Sequence, residues 1–130
     1  MEDLITQFEQ CTLPQTSWHH RQHLLVALHY VQHEPEQAEQ RMQEGIQRLN
    51  AAHGVPQTET GGYHDTLTIA WVRHLKGRLR AGASPDEILA EDPTAAIGRY
   101  YSRERIMSWE ARTGWVEPDL APLPAEGDPP

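Results

Sequence analysis

The chain carries a single cysteine, Cys11, among its 130 residues. That excludes an internal disulfide and any thiolate-rich zinc or iron–sulfur site. Basic charge is scarce as well: 11 Lys and Arg stand against 19 Asp and Glu, a formal net charge of −8. Nothing resembles the electropositive footprint that a phosphate backbone requires, so nucleic acid is not an expected partner. No apolar run approaches the roughly 18 residues of a membrane span, and Met1–Gln10 lacks the basic-then-apolar form of a secretory leader. No membrane association is expected, and the cytoplasm is the default location. A glycine-rich phosphate loop and a Ser–His–Asp spacing are also missing.

Large aliphatic residues are in short supply. Leu, Ile, Val and Phe total 24 of 130, about 18%. That is slightly below the level at which disorder becomes a serious reading. Four Trp and four Tyr argue for a folded chain, because disordered sequences are poor in aromatics. The length suits one domain with a modest core.

What is present is helical periodicity. Leu4, Ile5, Phe8 and Cys11 have the spacing of a short amphipathic helix over residues 2–11. Ser17 is the expected N-cap of a second helix that runs to about His33 and is ended by Glu34-Pro35. Pro35 opens a third, with Ala38, Met42, Ile46, Leu49 and His53 on one face, and Gly54 closes it. A fourth covers about Tyr63 to Ala81, with Leu67, Trp71, Leu75 and Leu79 in register. Ser84-Pro85-Asp86-Glu87 is a capping-box pattern for a short helix, Thr94 to Gly98 forms another, and Ser102 caps a last one through Arg112. From Trp115 onward the chain holds five of its ten prolines, which favours extended backbone. The fold class expected is all-α: a single helical bundle domain over residues 1–114 with four main helices and short additional ones. An extended Pro-rich segment, 115–124, packs on the bundle, and 125–130 form a disordered tail.

Histidine is over-represented, with eight copies. On a wheel at about 100° per residue, His20, Leu24, Ala27 and Val31 lie within about 60° of one another, with His23 on the flank. His64 lies within about 40° of Trp71 and Leu75 on the fourth helix. His19, His29, His33 and His74 fall on the wet side or at its edge. In an up-down bundle the second and fourth helices start at the same end. His20, His23 and His64 are then level, and the last-turn His53 also faces that end. Crowded imidazoles cannot all be charged, and a divalent metal resolves this by taking their lone pairs. Zinc or iron is the expected cofactor, with nickel or copper also compatible, and His20, His23 and His64 are the expected ligands.

Three protein ligands with an open position is the arrangement of a catalytic site. The expected function is a metal-dependent enzyme acting on a small molecule, a hydrolase, lyase or non-haem oxygenase. Asp65, Glu104 and Tyr63 are the candidate catalytic groups around the metal, and His53 or Asp65 could complete its coordination. Tyr101, Arg103 and Arg105, in the run Tyr100-Tyr101-Ser102-Arg103-Glu104-Arg105, are the candidates for binding substrate. The alternative is a non-enzymatic metal-binding, sensing or partner-binding module. A homodimer is left open.

Three segments look familiar. Trp18-His19-His20-Arg21-Gln22-His23-Leu24 is similar to a W-x-H-x-x-H-L motif, and Gly62-Tyr63-His64-Asp65-Thr66-Leu67-Thr68 to a G-Y-H-E-T-x-T motif. With Trp115-Val116-Glu117-Pro118-Asp119-Leu120 they resemble a family of small, largely uncharacterised bacterial proteins, over nearly the whole chain. The resemblance singles out His20, His23 and His64 and does not include His53. Asp65 stands where the family motif has Glu, a longer side chain. No particular reaction is implied.

Overall fold

The structure, a computed structural model, describes residues 3–124. Among these residues every regular element is helical and none is a strand. The chain divides into two compact units between Tyr63 and His64, a boundary inside the stretch expected to form one bundle. The expectation of a disordered 125–130 segment lies outside the described residues.

The first unit is built from α1 (Leu4–Glu9), α2 (His20–His33) and α3 (Ala38–His53), with 3-10 turns at Gln15–Ser17 and Pro35–Gln37. Asp3 caps α1 by accepting the Thr6 N–H at 2.8 Å. The helix ends earlier than its periodicity suggests, because Cys11 turns left-handed at φ 59° and Thr12 N–H closes back on the Gln7 carbonyl. Phe8 is fully buried against α3, where Gly45 makes room: a Cβ at that position would collide with the Phe8 ring. Ser17 does not cap α2. Its N–H closes the 3-10 turn on the Pro14 carbonyl. The N-cap is His19, whose N–H donates to the Gln22 side chain at 3.1 Å. α3 ends as expected at Gly54, left-handed at φ 73°.

The second unit contains α4 (Asp65–Arg80), α5 (Pro85–Leu89), α6 (Pro93–Gly98), α7 (Arg103–Ile106) and α8 (Trp109–Thr113). Ser84 and Glu87 form the expected capping box on α5, and Ser102 caps α7. The single last helix expected to run through Arg112 is two helices. Ser108 breaks it by donating to the Arg105 carbonyl and accepting from the Ala111 N–H, which starts α8.

Residues 115–124 form neither helix nor strand, bend at 119–121, and are held along this unit by polar contacts. Thr66 donates its hydroxyl to the Gly114 carbonyl at 2.6 Å and accepts the Val116 N–H at 3.1 Å. Tyr101 donates to the Val116 carbonyl, and the Leu120 N–H donates to the Tyr100 carbonyl. Asp119 accepts both the Ser102 N–H and its hydroxyl, at 2.8 and 2.6 Å. Arg73 lies 4.7 Å from the Trp115 ring centroid, and Pro124 fills the space a side chain at Gly77 would need.

Candidate functional site

The start of α2 gathers aromatic rings around a histidine. Trp18, which ends the 3-10 turn before the helix, stacks on Phe8, with centroids 5.3 Å apart, and on His23 at 3.8 Å. His23 is thus clamped to an indole face, where burial pushes its pKa down to about 4, helped by the charge of His20 one turn away. His20 is less enclosed than its wheel position suggests. As the first helical residue it is exposed, although partial shielding of its ring still lowers its pKa. Both imidazoles are therefore neutral at pH 7, the form in which a ring nitrogen carries a lone pair for a metal. His53 lies in the last turn of α3, with Nε2 2.7 Å from the Leu13 carbonyl. That nitrogen must donate, which leaves Nδ1 as a buried acceptor with no hydrogen-bond partner.

His64 belongs to the second unit and has a different task. It sits one residue before α4, and its Nδ1 accepts the Leu67 N–H at 3.0 Å, making it the N-cap. An accepting Nδ1 places the proton on Nε2, which donates to the Ile106 carbonyl at 2.6 Å. Burial pushes the His64 pKa down and the Arg112 charge adds to this, while the Ile106 bond and Asp65 act in the opposite sense. Both ring nitrogens are occupied by backbone groups. A metal on Nε2 would force the proton onto Nδ1, facing the Leu67 N–H, so capping and neutral ligation exclude each other in this conformation. Asp65 opens α4, where a carboxylate complements the helix dipole.

The other expected site residues separate. Tyr101 is 1% exposed and spends its hydroxyl on the Val116 carbonyl, and burial, with Glu117 nearby, pushes its pKa up to about 12. Arg105 donates from Nε to the Glu117 carbonyl. These two, expected to bind substrate, hold the segment after Gly114 through these bonds. Glu104 and Arg103 are exposed on the short α7, and Tyr63 exchanges backbone hydrogen bonds with the Gln57 side chain. Among the described residues no three or more His, Cys, Asp or Glu side chains are grouped so as to hold a metal ion.

One constellation escaped the sequence reading. His74, expected at the wet edge, is 0% exposed. Its Nε2 donates to Glu91 at 3.2 Å, and Glu91 also accepts from Arg78 at 3.4 Å. A carboxylate can only accept, so Nδ1 is the acceptor for the Tyr100 hydroxyl at 2.8 Å. Burial lowers the His74 pKa, Glu91 opposes the shift, and Arg99 and Arg78 reinforce it. The nearest sequence signal was Tyr100, in a run read for another purpose.

Comparison with family models, curated proteins and solved structures returned no match. No helix of the described residues is long and apolar enough to cross a membrane.

Proposed function

We propose that the protein binds a divalent transition metal at the first turn of α2 through His20 and His23, and acts through that ion on a small molecule. Zinc or iron is the first choice, with nickel or copper compatible with imidazole donors. The observation that carries the reading is the pair itself. Two histidines one turn apart sense each other electrostatically, and His23 is neutral down to about pH 4. Two protein ligands leave positions for water and substrate, which suits hydrolysis, hydration or oxygen chemistry. Tyr63, in the same compact unit, is the proposed orienting group. The reading includes the finer architecture of four main helices, α1 to α4, with a Pro-rich segment after Gly114.

Elemental analysis of untagged protein tests it. In a His29→Gln/His33→Gln background, which removes the other histidine pair of α2, near-stoichiometric metal is expected, lost when His20→Ala or His23→Ala is added. Full metal in both variants sinks the proposal.

A second reading, the partner-binding module, is favoured by Met107, Trp109 and Leu120, which are 52%, 46% and 58% exposed. Sedimentation of wild type and Trp109→Ser tests whether this includes a homodimer. A single monomeric species for both ends the dimer version.

A further inference from the structure

The far end of α2 carries a second pair of histidines that the proposed function does not use. His29 and His33 are four residues apart, so their side chains stack one above the other on one helix face. Their ring centroids are 4.7 Å apart at a tilt of 44°. Two nitrogens on one tetrahedral zinc ion, each about 2.0–2.1 Å from the metal, are about 3.3 Å apart. Rings this close reach that separation by rotation about χ2, a broad torsion for histidine. His33 is exposed and His29 half-buried, with its edge against Tyr30.

The electrostatic setting favours a cation. His33 is the last residue of α2, where the helix dipole is negative. The Asp3 carboxylate is held below its usual range, chiefly by the Thr6 N–H, with His29 contributing. Asp3 caps α1 through Oδ1.

We propose that His29 and His33 form a two-point clamp for a borderline divalent ion, Cu2+, Ni2+ or Zn2+, with water in its remaining positions. The i, i+4 spacing is the one by which paired histidines on a helix share one zinc ion. Copper binds most tightly and zinc is the convenient probe. The site is independent of His20 and His23.

Zinc titration of the full untagged chain, followed by long-range 1H–15N spectra of the histidine rings, tests this. The ring nitrogens of His29 and His33 are expected to shift together along one binding curve. His29→Gln or His33→Gln weakens that curve by at least about tenfold, because the remaining imidazole loses its chelate partner. Unchanged melting of these variants without zinc shows that the helix is intact. In a His20→Gln/His23→Gln protein the curve persists, so failure of the α2 N-terminal site is distinguishable from failure of this one. If each ring keeps its affinity when the other is removed, or neither shifts by about millimolar zinc, far weaker than imidazole chelation should be, the clamp does not exist.

Discussion

His23 and His64 show how one residue type serves two ends. For His23 the physics is desolvation. Its pKa is about 4 in the folded chain against 6.5 as a free group. Above pH 6.5 it is neutral in both states and contributes nothing to pH dependence. Between pH 6.5 and about 4 the unfolded chain takes up the proton more readily, so acidification destabilises the fold, by on the order of 3 kcal/mol once complete. Urea midpoints at pH 7.5 and pH 4.5 should show this. His23→Phe, which keeps a ring against Trp18, should flatten the acid limb. His74 titrates in the same direction and adds to the slope. For His64 the physics is capping. His64→Ala should cost about 1 kcal/mol in chemical denaturation, and His64→Asn, a good cap, should recover most of it.

Among elements, the close contacts are set by the smallest side chains and by one threonine. Gly45→Ala drives a methyl into the Phe8 ring and should cost about 1–3 kcal/mol. Gly98→Ala, with nothing within 4 Å of the new Cβ, should be neutral or slightly stabilising. Thr66 is fully buried and bonds both the Gly114 carbonyl and the Val116 N–H. Thr66→Val leaves two polar groups without that partner and should lose about 2–3 kcal/mol. Faster hydrogen exchange at the Val116 amide would report it; unchanged protection there would show that the segment after Gly114 is held without Thr66.

At the scale of the whole molecule, local chemistry was readable and distant pairing was not. Gly54 and the Ser84–Glu87 box announce their helix ends, because a cap is a contact between residues three or four apart. The start of α2 lies two residues later than the Ser17 cap implies, because a 3-10 turn competes with that cap, and His20 is an exposed first residue instead of part of a buried stripe. His64 was read as a first-turn residue, and the one-residue difference turns an inward ligand into a cap. The inward bias of His23 was legible on the wheel, but not the indole that covers it. The burial of His74 is not legible in the sequence, since its partners lie 17 and 26 residues downstream in the turns after α5 and α6, where no periodicity marks them. The division at Tyr63 follows a run, residues 55–60, in which all but Val55 are exposed. Among the described residues, the bond after Glu59 in that run should be the first cut by a glutamate-specific protease, as read by mass spectrometry. First cleavage within α2 or α3 would contradict the burial pattern.

The ring of His23 lies against Trp18 with an interplanar angle of 27°. An imidazolium at that distance drains an excited indole, whereas a neutral imidazole does so poorly. With Trp71, Trp109 and Trp115 replaced by Phe, the emission of the remaining indole becomes an optical gauge of this one side chain. It should dim as protons arrive near pH 4 and change again when an ion takes the same lone pair, so the molecule carries its own indicator dye at the place where the chemistry is proposed.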